Sequence, residues 1–369
     1  MQATALDASA TGCRLTVDDS TIDLTWRWLR DHARDPESFL SSAQQRMVSP
    51  TAVAAAGVGT AALSDDGSSL NVTWPSGTVS TWTIEWLTNV ATGAEAATSV
   101  DDLLGVPERW RGEQLGARLV RITAAELDAD DGLRTALRGL RRDGLIVVTD
   151  LATDQDTTRA AIERFGYVRM TIFGDLWEFR SDGGFDDTAS TPLEITPHTD
   201  GTYSADAPGL LALHCHRYEA TGGENVFVCG HALADRLAAE SPRHHELLRT
   251  VDIPGQYIGD GSHLMAHRPA FRYVGDRLVQ VSYNHHDRAP FRLPEPTMTE
   301  LFDALAHLDD IANDPAMQFE LSLRPGDMVV FDNWRVLHGR RAFEGERVIA
   351  GGYVNREDVE STARRLAAR

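Results

Sequence analysis

The second half of the chain is a succession of short apolar segments separated by turn-forming residues. Helical spacing interrupts this pattern mainly at 232–240 and 297–311. The segments that look extended are 210–216, 225–229, 278–283, 319–323, 328–331 and 348–353. Many short strands with few helices are typical of jelly-rolls and barrels. We therefore predict a mainly β architecture of that type with flanking helices.

The first hundred residues form a separate pattern. Apolar and β-branched runs, punctuated by turns, predict a small β-rich domain there. These runs are 21–27, 69–74 and 77–86. Residues 89–113 show no strong periodicity, and we place the linker in that stretch. Because 369 residues exceed the usual size of one domain, we expect domains at 1–100 and 101–369, the second opening with helices at 123–142 and 153–165.

The composition excludes several classes of function. A formal net charge of −20 without a dense basic stripe disfavours nucleic acid and anionic membranes as partners. All 35 basic residues are arginine, so neither a Schiff-base lysine nor a Walker A lysine exists in this chain. We find no N-terminal signal pattern and no apolar run of about 18 residues. We expect a cytoplasmic protein whose partner is a small molecule.

A candidate metal-binding pattern stands at 197–200, Pro-His-Thr-Asp, with a distant histidine in the segment DNWRVLHG, which we expect to be a polar loop. In an extended segment residues i and i+2 point the same way, so His198 and Asp200 can reach one ion together with His338. Two imidazoles and one carboxylate on one face of an iron leave positions for a chelating cosubstrate and O2. A His-x-Asp pair alone is weak evidence in a chain with 13 histidines, so its surroundings must support it.

An arginine downstream of the last candidate ligand supports the pattern. Arg347 stands nine residues beyond His338, and a guanidinium fork is suited to holding a carboxylate with two hydrogen bonds. Arg340 and Arg341 are the alternatives for this role, although we expect both of their side chains to be exposed. A metal triad with such a clamp is what 2-oxoglutarate requires. Other histidines, interpreted as core, loop or pocket residues rather than ligands, are His214, His216, His263, His285 and His286.

Two segments carry a family resemblance: HTDGTYSADAPGLLALHCHRYEATGGENVFVCG at 198–230 and LRPGDMVVFDNWRVLHGRRAFEGERVIAGGYVNREDVESTARRL at 323–366. Both closely resemble the γ-butyrobetaine and trimethyllysine dioxygenases, relatives of taurine dioxygenase. A weaker similarity at 26–39, WRWLRDHARDPESF, extends to the small β domain of that family. The resemblance implies a double-stranded β-helix catalytic domain, Fe(II) as the metal, 2-oxoglutarate and O2 as cosubstrates, and a homodimer.

The resemblance also implies roles for individual residues. The implied iron ligands are His198, Asp200 and His338. Arg347 is implied to bind the distal carboxylate of 2-oxoglutarate, and Asn225 and Asn284 to make further polar contacts with it. The side chains implied to contact the substrate are Phe173, Trp177, Tyr203 and Tyr353.

The sequence departs from the family in the N-terminal domain. Family members often hold a structural zinc there with three cysteines and one histidine. The corresponding positions are Ala33, Asp35, Ser38 and Thr78, which offer no thiolate. We therefore expect no structural zinc, and we expect tryptophan packing to stabilise the domain. The tryptophans concerned are Trp26, Trp28, Trp74, Trp82 and Trp86.

The second departure concerns the substrate. Aromatic cages recognise quaternary ammonium groups through cation–π attraction, and Ser190 and Gly201 stand where the γ-butyrobetaine enzymes carry tyrosines. We expect hydroxylation of an unactivated C–H bond in a different small amine, amino acid or specialised metabolite. One alternative is an oxidase on the same scaffold that catalyses desaturation or cyclisation. Another is a non-catalytic binding protein, against which the retained triad and arginine argue.

Overall fold

The computed structural model describes residues 1–93, 99–180, 191–259 and 261–368. The chain divides into two units, Met1–Ser99 and Val100–Arg369. The predicted linker, 89–113, is not irregular throughout, because it contains the helix Val100–Leu104 and the first residues of the next helix. A helix of five residues is too short to show a helical period in the sequence. Residues 94–98 of this stretch lie outside the described part.

The N-terminal unit consists of small antiparallel sheets and short helices. Its strands are β1 (Ala3–Ala8), β2 (Gly12–Val17), β3 (Ser20–Thr25), β4 (Phe39–Leu40), β5 (Gln45–Arg46), β6 (Thr60–Leu63), β7 (Ser69–Thr73) and β8 (Val79–Thr83). Its helices are α1 (Trp26–Asp31), α2 (Pro50–Ala55) and α3 (Ile84–Ala91). The sheets follow the orders β1-β2-β3, β4-β5 and β6-β7-β8. Trp26, Trp74 and Trp82 are buried in the core of this unit.

Two of the predicted extended runs end earlier than expected. The hydroxyl of Thr25 accepts a hydrogen bond from the backbone N–H of Trp28, and the hydroxyl of Thr83 accepts one from Trp86. Each threonine therefore caps a helix N-terminus, so 26–27 and 84–86 are helical rather than extended.

The C-terminal unit contains both the longer strands and the longer helices. Its strands are β9 (Arg121–Thr123), β10 (Leu145–Thr149), β11 (Leu176–Arg180), β12 (Ile195–His198), β13 (Leu210–Gly222), β14 (Asn225–Cys229), β15 (Ile253–Gly259), β16 (Ser262–Arg268), β17 (Phe271–Val274), β18 (Arg277–Val281), β19 (Gln318–Leu321), β20 (Met328–Asp332), β21 (Val336–Arg340) and β22 (Phe343–Val354). Its helices are α4 (Val100–Leu104), α5 (Gly112–Gly116), α6 (Ala124–Asp128), α7 (Asp130–Asp143), α8 (Gln155–Glu163), α9 (Gly230–Glu240), α10 (Pro242–Thr250), α11 (Thr297–Asn313) and α12 (Arg356–Ala367). In the described ranges no helix is long and apolar enough to cross a membrane.

Two sheets of the C-terminal unit position the candidate site. One has the strand order β11-β22-β13-β20-β10-β9, and the other has the order β12-β21-β14-β19. Apolar side chains from both sheets belong to one buried core. Phe227 on β14 and Phe331 on β20 meet edge to face within it, with ring centroids 5.3 Å apart. Helices α9 and α11 contribute further buried residues to the same core.

Several predicted boundaries differ from the structure. The helix predicted at 123–142 is two helices, because Ala129 adopts an extended conformation between α6 and α7. The strand predicted at 210–216 continues to Gly222, and the one at 348–353 begins at Phe343, since β13 and β22 pair along nearly their full lengths. His338 lies in β21 rather than in a loop, because β21 pairs with β12 and β14 on its two sides.

Candidate active site

The three candidate metal ligands are brought together by strand pairing. In the antiparallel pair β12 and β21, His198 lies directly opposite His338, and the centroids of their rings are 4.4 Å apart. Asp200 follows two residues after the end of β12. Its Oδ1 is 3.3 Å from Nε2 of His198 and 3.7 Å from Nε2 of His338. One ligand atom from each residue lies within 4.8 Å of the others.

Neighbouring groups set the orientation of these ligands. Nδ1 of His198 is 2.9 Å from the backbone carbonyl of Thr196, and it must carry the hydrogen because a carbonyl can only accept. Nε2 of His198 is therefore left with its lone pair toward Asp200. The hydroxyl of Tyr353 donates to Oδ2 of Asp200 at 2.8 Å, leaving Oδ1 toward the two histidines. Hydrogen bonds of this kind orient metal ligands.

Burial is the largest influence on the pKa of each ligand. It lowers the pKa of His338 to about 4. Burial alone would raise the pKa of Asp200, but His338, His198 and the Tyr353 hydroxyl hold it well below its usual range. Burial also acts to lower the pKa of His198, yet the adjacent Asp200 carboxylate raises it overall. Near neutral pH the carboxylate is ionised and His338 is neutral, as a metal ion requires.

Asn333 fixes the backbone of residues 199–202, the segment after β12 that we call the metal loop, and the sequence analysis did not assign it this role. Its Oδ1 accepts from the backbone N–H of Asp200 at 2.8 Å, and its Nδ2 donates to the carbonyls of Asp200 and Pro208 at 3.0 and 3.1 Å. The side chain is buried, so all these bonds are protected from water. The one local feature in the sequence is an asparagine two residues after the apolar run 328–331.

A cavity of about 330 Å³ opens beside the three ligands. All ten site residues that the sequence indicated line it: His198, Asp200, His338, Arg347, Asn225, Asn284, Phe173, Trp177, Tyr203 and Tyr353. Of the other histidines considered, His286 lines the cavity as well. His214 and His216 instead contact the hydroxyl of Thr158, at 2.8 and 2.9 Å. They are therefore core residues, as expected.

Arg347 presents a buried guanidinium to this cavity. Its Nη2 donates to Oδ1 of Asn225 at 3.2 Å, and the guanidinium lies over the ring of Phe343. Asn225 in turn donates from Nδ2 to the carbonyl of Leu321 at 3.3 Å. Nε of Arg347 has no hydrogen-bond partner among the residues that the structure describes. Burial lowers the pKa of Arg347 from its usual value, because the charged guanidinium is removed from water. A bound anion would offset the cost of burying this charge.

The two alternative arginines differ from each other. Arg341 lies outside the cavity lining and forms ion pairs with Glu194 and Glu320 at 2.7 Å each. Arg340 lines the cavity and is buried, which corrects the expectation of an exposed side chain. Its Nη2 donates to the backbone carbonyls of Thr191 and Leu193, the latter at 2.7 Å. Arg340 therefore anchors the segment that leads into β12.

In the structure the amide of Asn284 contacts two neighbouring residues. Its Nδ2 donates to Oδ2 of Asp287 at 3.0 Å, and its Oδ1 accepts from the backbone N–H of His286 at 3.0 Å. Asp287 also lines the cavity and was not indicated by the sequence. The amide of Asn284 therefore holds a second carboxylate at the edge of the site.

Aromatic rings form much of the remaining wall. Trp177 packs against the backbone of β22, where a Cβ on Gly351 would lie 2.2 Å from its ring, and it is 5.7 Å from the Tyr353 ring. Gly201 has a φ of +73°, and a Cβ there would lie 2.7 Å from Pro208. A tyrosine at this position would be strained, which agrees with an incomplete cage. Ser190, the other position compared with the cage, lies outside the described residues.

Fe(II) and 2-oxoglutarate fit the residues that surround this cavity. Two imidazoles and a carboxylate with open positions are the donor set of non-haem Fe(II) oxygenases. A buried arginine with an unused N–H, in the same cavity, matches the distal carboxylate of a dicarboxylate ligand. The aromatic wall gives the rest of the cavity an apolar surface suited to a small organic substrate.

Comparison with known proteins relates this site to a family. The model of the family described as taurine catabolism dioxygenase TauD, TfdA family matches residues 109–353. The chain is 31% identical over 356 residues to the mitochondrial trimethyllysine dioxygenase of Gallus gallus, covering 94% of this chain and 84% of that protein. It is 26% identical over 358 residues to the gamma-butyrobetaine dioxygenase of Pongo abelii, covering 93% and 90%. These matches confirm the resemblance noted in the sequence.

The fold also resembles that of solved structures. AAD-2, solved in complex with Mn(II) and N-oxalylglycine, matches with a TM-score of 0.51 and 14% identity, covering 67% of this chain and 97% of that one. At this identity the likeness concerns the fold alone. The family model and the curated relatives, by contrast, match most of this chain in sequence. The protein therefore belongs to the taurine catabolism dioxygenase TauD, TfdA family and is a 2-oxoglutarate-dependent, non-haem iron dioxygenase.

Proposed function

We propose that this dioxygenase hydroxylates an unactivated C–H bond of a small amine or amino acid other than γ-butyrobetaine. The observation that carries the proposal is the cavity itself, which joins the His198, Asp200 and His338 cluster to a buried arginine and an aromatic wall. A relative named for trimethyllysine, at 31% identity over 356 residues, supports an amine as the substrate class. The strain that Gly201 would impose on a tyrosine supports the exclusion of γ-butyrobetaine.

In this proposal three residues hold the metal and a fourth orients the cosubstrate. His198, Asp200 and His338 hold the metal, and Arg347 binds the distal carboxylate of 2-oxoglutarate. When bound, the metal and 2-oxoglutarate supply oxidation of a C–H bond by O2, coupled to decarboxylation of 2-oxoglutarate to succinate. The two sheets that enclose the shared core are assigned as the halves of a double-stranded β-helix, which places all four residues around one cavity.

The aromatic wall has two tasks in this proposal. Buried rings such as Trp177 exclude water from the reacting C–H bond, and their fixed packing limits the orientations that a substrate can adopt. The orientation of the bound substrate determines which hydrogen is removed, so the aromatic wall determines the position of hydroxylation. Desaturation or cyclisation is the second outcome of the same chemistry, and product analysis distinguishes it.

A substrate screen tests the proposal. Protein reconstituted with Fe(II) without oxygen is mixed with 2-oxoglutarate, O2 and a panel of amines and amino acids that includes trimethyllysine and γ-butyrobetaine. We expect succinate release that depends on an amine in the panel, and a product that has gained one oxygen atom. A product that has lost two hydrogen atoms would establish the oxidase alternative. Succinate release that γ-butyrobetaine stimulates best would contradict the proposed substrate class.

A further inference from the structure

A second, small pocket lies at the end of the metal loop, and the proposed function does not use it. Its volume is about 20 Å³, and residues of β15, β16, α11 and the segment 282–288 enclose it together with Thr202. None of the described residues that line it is an aspartate or a glutamate. The polar side chains that line it are Thr202, Arg268, Ser282, Asn284, His285 and Arg288.

Arg268, on β16, brings a poorly compensated charge to this pocket. Its Nη2 is enclosed and has no hydrogen-bond partner among the residues that the structure describes. Burial, together with the neighbouring Arg272, lowers the pKa of Arg268, while Asp206 acts to raise it. Asp206 is itself paired with Arg169 at 3.1 Å. The guanidinium of Arg268 is therefore removed from water without a carboxylate of its own, which is unfavourable.

Arg288 brings a second guanidinium to the same pocket. Its guanidinium lies over the ring of Phe302, 5.4 Å from the centroid, and forms no ion pair within the described ranges. Asp309, a carboxylate of α11 near this region, accepts the hydroxyl of Tyr283 at 2.7 Å. Two guanidinium groups thus line one small space, and neither is paired with a carboxylate in the described part of the chain.

The size of the pocket restricts what it can hold. A cavity needs about 10–15 Å³ to hold one water molecule, so about 20 Å³ suits a ligand of one heavy atom. Carboxylates, phosphate and sulfate contain several heavy atoms and are too large. A water molecule could accept hydrogen bonds from the surrounding donors, but it brings no charge. A monatomic anion accepts the same hydrogen bonds and also compensates the buried positive charge.

We propose that this pocket binds a monatomic anion of the chloride type, held by Arg268 and Arg288. The hydroxyl of Ser282 is a further donor in the lining. The proposal does not depend on the substrate, because no substrate group takes part.

The position of the pocket links the bound anion to the active site. Thr202, which lines the pocket, is the last residue of the metal loop, and Asn284 lines both the pocket and the active-site cavity. A Cβ on Gly255, another lining residue, would lie 2.5 Å from the carbonyl oxygen of Thr202, so β15 packs closely against this loop. An anion bound by Arg268 and Arg288 therefore joins β16 to the segment 282–288 beside the metal loop, and it stabilises the folded C-terminal unit.

Thermal unfolding at constant pH and ionic strength tests the proposal. The full chain, loaded with Fe(II) and 2-oxoglutarate without oxygen, is heated in sodium gluconate that is replaced stepwise by sodium chloride. A ligand that binds only the folded state, at ten times its Kd, raises the folding equilibrium constant about 11-fold. We expect a saturable rise in Tm of about 3–6 °C. Bromide should act in the same way, whereas gluconate is too large to enter.

Matched variants assign the response to the pocket. Arg268→Gln and Arg288→Gln should each raise the apparent Kd for chloride by about 10-fold or more, since each removes a charge-assisted hydrogen bond. Arg268→Lys keeps the charge and should retain part of the response. Arg292→Gln removes the same charge at an exposed position outside the pocket lining and should respond as the wild type does. General salt effects act on all variants alike and cancel in this comparison.

Each outcome decides for or against the proposal. A saturable chloride response that is lost in Arg268→Gln and Arg288→Gln but kept in Arg292→Gln supports it. If replacement of gluconate by chloride changes the Tm of the wild type no more than that of Arg268→Gln, the pocket holds water only and the proposal is overturned. If Arg268→Gln does not fold, Arg288→Gln decides, because an unchanged chloride response in that variant places the anion elsewhere.

Discussion

Single side chains at this site serve more than one neighbour, and Asp200 shows this best. One of its oxygens faces Nε2 of both histidines, while the other accepts the Tyr353 hydroxyl at 2.8 Å. Its backbone N–H and carbonyl are both held by the side chain of Asn333. Neither the carboxylate nor its backbone can move without breaking one of these bonds, so the candidate ligand is oriented before any metal binds.

Tyr353→Phe tests this orientation, because it removes a single hydroxyl and keeps the ring beside Trp177. Loss of a hydrogen bond to a metal ligand typically weakens metal affinity by about 10- to 100-fold, and we expect Fe(II) affinity to fall within that range while the thermal stability stays nearly constant. Tyr273→Phe is the control, since its hydroxyl contacts His245 at 3.0 Å outside the cavity. Equal Fe(II) affinities in the two variants would contradict this role of Tyr353.

At this scale the sequence indicated residues that belong to a motif and missed those that act through distant partners. His198 and Asp200 share a short pattern, and Arg347 follows His338 closely. Asn333 bonds to a residue 133 positions away, and Asp287 is held by Thr202 from 85 positions away. The spacing of residues in the sequence does not reveal hydrogen-bonded pairs of this kind. Tyr353 was assigned to the substrate, but its hydroxyl contacts a candidate metal ligand.

Strand register explains how elements assemble the site. Between Ile195 and His198, β12 advances three residues while β21 advances two, from Arg340 to His338. This irregularity re-aims the strand just before the metal loop, as bulges at active sites do. The alternation of apolar residues predicted that strands exist here, but it does not encode which strand pairs with which. The pairing of β12 with β21, and hence the meeting of the two histidines, therefore required the structure.

In the N-terminal unit a polar network includes Asp35 and Ser38, two of the four positions that the sequence analysis compared with zinc ligands. The carboxylate of Asp35 accepts from the hydroxyls of Ser38 and Ser80 at 2.7 and 2.6 Å. Arg30 donates to Ser38 at 2.6 Å, and the indole of Trp74 donates to Ser80 at 2.8 Å. The chain of hydrogen bonds joins helix α1 to strand β8 through one acidic side chain.

Asp35→Ala should therefore destabilise the N-terminal unit. The substitution leaves the hydroxyls of Ser38 and Ser80 without their carboxylate acceptor. We expect the free energy of unfolding of this unit to fall by about 1–3 kcal/mol in denaturant titrations. Asp23→Ala, on an exposed strand paired with Arg14, should have a far smaller effect. Elemental analysis should find no zinc bound to this unit. One zinc per chain that remains bound after treatment with a chelator would contradict both the proposed role of the hydrogen-bond network and the expected absence of zinc.

The stability of the whole molecule should depend on pH through its buried histidines. His214 is fully buried, and burial, together with the neighbouring His216, lowers its pKa to about 4. The unfolded chain takes up a proton at this residue as the pH falls through about 6.5, whereas the folded protein does not until about 4. Folding is therefore weakened in this window, by up to about 1.4 kcal/mol for each pH unit.

His214→Gln removes this titration. We expect the loss of unfolding free energy between about pH 6.5 and 4.5 to be shallower in the variant than in the wild type, although the variant is less stable near neutral pH. His267→Gln, at an exposed position, should leave the slope unchanged. Parallel curves for the wild type and His214→Gln would show that His214 does not titrate as described.

The central claim is that one cavity holds Fe(II) on His198, Asp200 and His338 and 2-oxoglutarate on Arg347. Its most direct test is equilibrium binding of Fe(II), followed by 2-oxoglutarate, to the wild type, Asp200→Ala, Arg347→Ala and Arg341→Ala without oxygen. We predict that Asp200→Ala loses Fe(II). We predict that Arg347→Ala keeps Fe(II) but binds 2-oxoglutarate about 30-fold to several thousandfold more weakly, and that Arg341→Ala resembles the wild type. Unchanged Fe(II) affinity in Asp200→Ala, or 2-oxoglutarate affinity within about twofold of the wild type in Arg347→Ala, would contradict the claim.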